Sequence, residues 1–310
     1  MGTRLRGIVN SMYDFKEISL RDKTLFDKYL KKCNLQASEN TFTNFFIWRR
    51  FYKFQYEEKF GFLLLISKPE KSEPAALYPL GISDDESFEK SIFYLKDYFR
   101  SQGWILMFKK VEERYLEKFK RFVRSDEDIV FDRDNCDYIY LSEDLIHLRG
   151  RRFDGKRNHI NRFRRDYEYE YVDIDNTLID ECKRIMDEWC AERFCDQHKD
   201  LYCENIANKE LLSNFAALGC KGALIKVNGA FKGFTVGEKL NEDTAVIHIE
   251  KGNSKVNGIY SFINQQFSEH EWSGETYINR EQDLGMEGMR KAKLSYHPCK
   301  LLNKYTIIIR

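Results

Sequence analysis

The stretch "YINREQDLGMEGMRKAKLSYHP", Tyr277–Pro298, sets a strand-like run, an acidic turn and a cationic helix side by side. Alternation in its first residues puts Tyr277, Asn279 and Glu281 on one strand face. Asp283 and Gly285 turn the chain into a helix on which Arg290, Lys293 and His297 fall at i, i+3 and i+7, on one side. Met289 and Tyr296 point nearer the core, and Pro298 fixes the exit. Acids, an amide and cations thereby converge at the end of a central strand, a common place for sites in open sheets. The same residues also read as a helix whose cations complement its C-terminal dipole.

Working back from that stretch, two halves share a rhythm. In the first, Phe62–Ser67 and Ala75–Leu80 read as strands around a Pro-containing turn. "DDESFEKSIFYLKDYFRSQG" reads as a capped helix with Phe88, Ile92, Leu95 and Phe99 at helical spacing, stopped by Gly103. "WILMFKKV" is a buried strand, "EERYLEKFKRFV" a second helix, and "IVF" and "YIYL" are strand material. In the second half "NTLIDECKRIMDEWCAERF" is helical, with Ile185, Met186, Trp189 and Phe194 as its core face. "ALIKVNGAFKGFTVGEKL" is a hairpin turning at Val227-Asn228-Gly229. "TAVIHIEK" is a strand whose alternation puts Ile247 and Ile249 on one face and Val246, His248 and Glu250 on the other. Helix "NGIYSFINQQFSEH", strand "ETYINRE", helix "GMEGMRKAKLSY" and strand "KYTIIIR" complete it. The fold class is α+β, with two mixed, mostly antiparallel sheets crossed by helices. Domains are expected over 12–145 and 146–310.

The 310 residues carry 51 basic against 50 acidic side chains, so anion binding must come from local patches. The most apolar run, "FGFLLLI" at Phe60–Ile66, is far short of the ~20 residues a bilayer demands. The leader Met1–Asn10 has Arg4 and Arg6 but no apolar stretch behind them, so a cytoplasmic protein outside the membrane is expected. The 8 cysteines show no disulfide spacing. Cys190, Cys195, His198 and Cys203 lack the close pairs of structural zinc sites, and no metal is expected. No G-x-S-x-G, Walker loop or H-E-x-x-H occurs, which removes the serine hydrolase, P-loop NTPase and zincin readings. What remains suits group transfer, with anionic donor and acceptor held together and one base removing a proton.

Two further segments bear on such chemistry. Leu148–Arg165 holds Arg149, Arg151, Arg152, Lys156, Arg157, Arg162, Arg164 and Arg165 against the single acid Asp154. Asp154 would cap a helix with an apolar stripe of Ile160, Phe163 and Tyr167, leaving arginines and Asn158 outward for phosphates. A solvated charged face is the alternative. The turn "HIEKGNSKVNGIY", His248–Tyr260, places Lys251, Asn253, Gly258 and Tyr260 at a helix start, where backbone amides attract anions. Glu250 is there either as a general base or as a surface carboxylate paired with Lys251.

At these residues the sequence resembles a known family. "FTNFFIWR" (Phe42–Arg49), "GKRNHINRF" (Gly155–Phe163), "HIEKGN…GIYSFINQQF" and "INREQDLGMEGMRKAKLSYHP" are similar to the C-terminal domain of phosphatidylglycerol lysyltransferases, from about Phe15 onward. That family is similar to the peptidoglycan Fem transferases. The resemblance implies two tandem GNAT-type acyltransferase units and transfer of an acyl group, in characterised members an aminoacyl group from charged tRNA, to a polar acceptor. It implies Lys156, Arg157 and Asn158 near the donor's phosphates, and Glu250, Asn279, Glu281, Asp283, Arg290 and Lys293 in the second unit's cleft. Two departures stand beside it. The lipid-modifying members carry a membrane-spanning region not seen in this sequence, and Lys251–Gly258 does not match the Q/R-x-x-G-x-G/A loop of coenzyme A enzymes.

The expectation is therefore an acyl- or aminoacyltransferase with no tightly bound cofactor and with aminoacyl-tRNA as co-substrate. Its acceptor, a small molecule, lipid or peptide, is left open. Glu250 or Glu281 removes the acceptor's proton, and Arg290 and Lys293 stabilise carbonyl charge. Arg152, Lys156, Arg157, Asn158, Lys251, Asn253, Gly258, Tyr260, Asn279, Asp283 and His297 bind substrate or phosphate. Acyl-CoA as co-substrate is the runner-up, and a catalytically silent tRNA-binding module built on Arg149–Arg165 is the third reading.

Overall fold

A computed structural model describes residues 13–310; the leader Met1–Asn10 and the expected domain start at residue 12 lie outside them. In chain order the elements are β1 (Lys16–Glu17), α1 (Lys23–Cys33), α2 (Phe42–Tyr52), β2 (Gln55–Lys59), β3 (Phe62–Ser67), β4 (Ala75–Ala76), α3 (Asp85–Ser101), β5 (Leu106–Glu112), α4 (Leu116–Phe119) and β6 (Ile129–Phe131). They continue with β7 (Asp137–Leu141), α5 (Ser142–His147), α6 (Asp154–Asp166), β8 (Tyr169–Asp173), α7 (Ile179–Arg193), α8 (Lys199–Ser213), α9 (Phe215–Leu218), β9 (Lys221–Val227) and β10 (Ala230–Lys239). Last come β11 (Thr244–Gly252), α10 (Ile259–Glu271), β12 (Tyr277–Asn279), α11 (Glu287–Leu294), β13 (Lys300–Leu302) and β14 (Lys304–Ile309).

Two compact units result, one from the chain up to Cys136 with Leu302–Arg310, the other from Asp137–Leu301. The division expected from the sequence, between residues 145 and 146, differs for a reason of strand pairing. β7 pairs antiparallel with β12, and β14 pairs with β5 and β6. The sheets run β1-β2-β3-β4-β5-β14-β6 and β13-β7-β12-β11-β10-β9-β8. Read from β1 and from β8 they follow one order, and in each the sixth place is filled out of sequence order, by β14 and by β7. The single parallel contacts are β4 with β5 and β11 with β12; the other described pairings are antiparallel.

Local chemistry accounts for the elements. Asp84 caps α3 by accepting from the Ser87 amide at 2.7 Å. Phe88, Ile92, Leu95 and Phe99 are buried against β3 and β5 in the first core. Asn228 and Gly229, at φ 48° and 82°, make the two-residue turn between β9 and β10. Three expected elements are shorter than read. Past Ala76 the chain follows β3 by bonds of Leu77 and Leu80 to Leu65 and Leu63, so β4 stops early. The helix expected after Val111 is a 3-10 turn and the one-turn α4, because burying Phe119 beside Tyr78 and Phe88 needs no more. In α7, Ile185 and Met186 are buried, but Phe194 is a left-handed cap with its ring exposed, so the core face ends before it.

Candidate functional site

β11 and β12 pair in parallel only from Thr244↔Tyr277 to Val246↔Asn279. β11 runs on to Gly252 beside β10 alone, so the two strands splay apart and side chains cross the gap. On β11 the register jumps from Val236↔Ile249 to Gly237↔Ile247, leaving His248 as the extra residue of a β-bulge. The bulge corrects the alternation read from sequence. Ile247 packs in the core with Ile259 and Phe267 of α10. Glu250, expected on the opposite face, reaches the same helix at Asn264, 3.4 Å away.

Two carboxylate–cation contacts bridge the splay. Glu250 Oε1 accepts from Arg280 Nη2 at 3.0 Å, so its partner is Arg280 and not Lys251. His248 Nδ1 lies 2.9 Å from Glu281 Oε1 and its Nε2 2.8 Å from Glu238 Oε1, with the imidazole only 2% exposed. Burial alone would lower the His248 pKa, but the hydrogen bonds to Glu238 and Glu281 outweigh it and hold it up at about 10. Lys156 of α6 sets its Nζ 3.9 Å from the centre of the Tyr296 ring, which also carries the Arg280 guanidinium at 4.8 Å. Burial, with Arg280 adding to it and Glu250 opposing, pushes the Lys156 amine down to about 8.

The segment after β12 is held from several sides. Glu281 and Leu284 take left-handed φ values of 56° and 53°. Asn279 accepts from the Glu281 amide at 2.7 Å and donates to Asp137 at 2.9 Å. Asp283 accepts from Arg290 Nε and Nη2, both at 2.9 Å, from the Gly285 amide at 2.9 Å and from the Tyr138 hydroxyl at 2.5 Å. Burial would raise the Asp283 pKa, but these donors hold it well below the carboxylate range. Lys293 Nζ donates to the carbonyls of Arg280 and Gln282, each at 2.5 Å, and burial lowers it to about 8. Arg290 and Lys293 do share a helix side, as read, yet both are turned onto this segment and fix its shape. His297 is not with them: it follows the helix end, donates from Nε2 to the Arg152 carbonyl (3.1 Å) and meets Phe153 edge-on. Met289, expected toward the core, is exposed, whereas Tyr296 is buried.

The basic run is more compensated than its composition suggests. Arg152 pairs with Asp144 at 2.8 Å, and Arg162 and Arg165 both pair with Asp166. Arg157 pairs with Asp154 and donates to the Leu148 and Gly150 carbonyls. Asp154 therefore does not cap α6; it is the helix's first residue, with its carboxylate engaged by Arg157. Ile160 and Phe163 are buried as expected, and Asn158 is exposed.

The turn after β11 is also internally satisfied. Lys251 pairs with Glu204 at 2.7 Å over the Trp189 ring, and Tyr260 donates to the Gly252 carbonyl at 2.9 Å. Asn253 accepts from the Lys255 amide at 2.9 Å. At Gly258 (φ 85°) a Cβ would lie 2.5 Å from the His159 carbonyl oxygen, so this glycine seats α10 against α6. The start of α10 is thus covered by α6 backbone where a phosphate approach was expected. Among the described residues no group of three or more His, Cys, Asp or Glu is placed to hold a metal.

Sequence reasoning missed His248, Glu238 and Arg280. The signal for His248 was its apparent place beside Glu250, which the bulge makes misleading. Arg280 was hidden inside a stretch read for its acids.

Among curated proteins none matches this chain. A conserved protein of unknown function from Bacteroides thetaiotaomicron VPI-5482 is 34% identical, with a TM-score of 0.88 over 96% of this chain and 99% of that one. L-PGS from Bacillus licheniformis has a TM-score of 0.65 at 16% identity over 94% of this chain and 92% of that one. A tandem GNAT protein from the clavulanic acid biosynthesis pathway has 0.51 at 10% identity over 96% and 98%. The fold is the tandem GNAT type expected from the resemblance, an acyl- or aminoacyltransferase type of fold. Among the described residues no helix is long and apolar enough to cross a membrane. The model of the phosphatidylglycerol lysyltransferase C-terminal family matches residues 31–308, and the chain belongs to that family.

Proposed function

We propose that this protein transfers an aminoacyl group from charged tRNA to a polar acceptor, with the chemistry in the β11–β12 splay. The observation that carries the reading is the pair of side-chain bridges across that splay, His248–Glu281 and Glu250–Arg280, in a unit of acyltransferase type. Glu281 has a quarter of its side chain exposed (25%) and one oxygen engaged by His248, which suits it to take the acceptor's proton. Charge on the carbonyl oxygen would be met by Lys156 and by Arg280, whose buried Nη1 has no hydrogen-bond partner. Arg290 and Lys293 act one step back, holding the segment that carries Glu281. Exposed arginines of α6 and the turn before it, such as Arg149, Arg151 and Arg164, supply charge for tRNA phosphates. The covered start of α10 argues against coenzyme A as the donor's carrier.

The test is binding of the purified protein to bulk aminoacyl-tRNA, deacylated tRNA and acetyl-CoA at matched moderate salt, followed by transfer to an acceptor panel. Preference for charged tRNA is expected, and Glu281→Ala is expected to abolish transfer while leaving the fold intact. Binding of acetyl-CoA alone overturns the donor. Equal binding of charged and deacylated tRNA, with no transfer to any acceptor, turns the reading to a silent RNA-binding module.

A further inference from the structure

We propose that Glu238, His248 and Glu281 form a carboxylate–imidazolium–carboxylate clamp, in which His248 is the positioning residue that makes Glu281 the base of the reaction. The inference rests on the transfer reading and names how its base is held. Three independent features of the fold converge on it. The β-bulge leaves His248 unpaired in the β10 register and re-aims its ring into the splay. Glu238 of β10 sits at one ring nitrogen (2.8 Å) and Glu281, beyond β12, at the other (2.9 Å). Glu281 itself takes a left-handed φ of 56°, fixed by the bond from its amide to Asn279. A non-glycine residue holds that conformation only where its surroundings over-determine it, and such sites cluster where geometry matters.

The charges give the clamp its sense. A neutral imidazole has one N–H and can donate to only one carboxylate, so with Glu238 and Glu281 both ionised the two close contacts require the doubly protonated ring. Two carboxylates and one imidazolium leave a net charge of −1. Glu238 is 11% exposed at its side chain and Glu281 25%, so Glu281 is the member that meets a reactant. From α11, Lys293 acts on Glu281 of the clamp and is itself surrounded by Arg280 after β12, Asp137 on β7 and Asp283. With Oε1 held by His248, Oε2 takes the proton from the acceptor's neutral amine or hydroxyl. The acceptor's electron pair forms the new bond to the acyl carbon. The ester C–O bond to the donor's ribose breaks, and its oxygen recovers the proton from Glu281, which ends as the carboxylate it began as.

The experiment has two arms. Ring ¹⁵N spectra of histidine-labelled full-length protein, with His248 assigned from the missing signal in His248→Gln, should show both ring nitrogens protonated at pH 8. Glu238→Gln and Glu281→Gln should each lower the pH at which the ring loses its proton. A wild-type His248 that is neutral at pH 8 overturns the clamp, whether or not any transfer is found. In the transfer assay, His248→Gln should lower kcat at least tenfold with KM within twofold, because proton removal and not binding is impaired. Glu238→Gln, which keeps the ring and the side-chain shape, should show a smaller loss of the same kind. A proportional rise in KM, or unchanged kcat in both variants, overturns the positioning role. Failure of the wild type to transfer from any donor sinks the transfer reading and with it the base, while the spectra still decide the clamp.

Discussion

Replacing Gly258 by alanine separates a packing glycine from a ligand-approach glycine. The residue has φ 85°, where an L side chain costs about 1–2 kcal/mol. Its Cβ would also lie 2.5 Å from the His159 carbonyl oxygen and 3.2 Å from Phe163 Cβ, both on α6. Backbone cannot swing aside as a side chain can, so α6 and α10 must part by several tenths of an ångström. That strain belongs with overpacking, at about 1–3 kcal/mol. The two together come to about 2–5 kcal/mol. Gly219 is the control: at φ 76° and ψ 25° it carries the same left-handed conformational cost, but nothing lies within 4 Å of its Cβ. Gly219→Ala is therefore expected to cost about 1–2 kcal/mol, and the difference between the variants isolates the close approach. Urea unfolding of the full chain, followed by far-UV circular dichroism, measures both. Equal destabilisation of the two variants would refute the packing argument. If Gly258→Ala is no worse than the control yet weakens donor binding, the glycine serves a ligand after all.

Three more outcomes follow from the site's charges. His248 has a folded pKa of about 10 against an ordinary 6.5, so its stabilisation is complete below pH 6.5 and is lost as pH rises through 10. Lys156 and Lys293, held near 8, act in the opposite direction from 8 to their ordinary 10.5, so the readout is the wild-type stability minus that of His248→Gln; a difference that does not shrink between pH 7 and 10 contradicts the assignment. Glu250→Ala strips the Arg280 guanidinium, 13% exposed, of its carboxylate and should cost about 3 kcal/mol, with Glu250→Met/Arg280→Met recovering part of it in chemical denaturation; a loss under about 1 kcal/mol would mean that the pair is solvated. If α6 and the turn before it hold tRNA phosphates, replacing Arg149 or Arg151 with glutamine should flatten the log–log salt slope of binding by about 0.7–0.9 for each phosphate no longer neutralised, and an unchanged slope in filter binding removes that residue from the interface.

The elements legible in the sequence were those with one clean signal. α3 has an acidic cap and an uninterrupted apolar stripe, and the β9–β10 turn has Asn-Gly. α1, α2 and β2 were not read, although Phe42–Arg49 was quoted for its resemblance. In α2 apolar residues cover more than one face, with Phe42, Phe45, Phe46 and Ile47 all buried, so no single stripe marks it. β2 reads as a charged run, "QYEEK", because Glu57 is buried on the strength of its bond from the Tyr94 hydroxyl at 2.7 Å, a partner far away in sequence. Site residues fared by the same rule. Asn279, Asp283, Arg290 and Lys293 are close together because one strand, one turn and one helix suffice to gather them. His248, Glu238 and Arg280 needed a bulge and a register between strands, neither of which alternation can supply.

The same fold is used twice, and the two openings differ in what fills them. In the first unit β4 and β5 meet only at Ala76↔Phe108 and then part, as β11 and β12 do in the second. There Glu112 accepts from the amides of Gln36 and Ala37, both at 2.8 Å, and pairs with Arg114 at 2.7 Å. Glu39 lies between Lys110 and Lys304 at 2.9 and 2.6 Å, and Tyr78 stacks on Tyr115 at 4.1 Å. Each carboxylate is answered by donors of the same unit, and the stacked rings stand where the strands separate. Charges engaged this way stabilise a loop and a strand but leave little to offer a reactant. In the second unit Glu281 keeps an oxygen beyond its contact with His248, Arg280 keeps a donor beyond Glu250, and the Lys156 amine rests on a ring rather than on a carboxylate. Group transfer needs a base and a cation with contacts to spare, and in the second splay Glu281 with Arg280 and Lys156 supplies both.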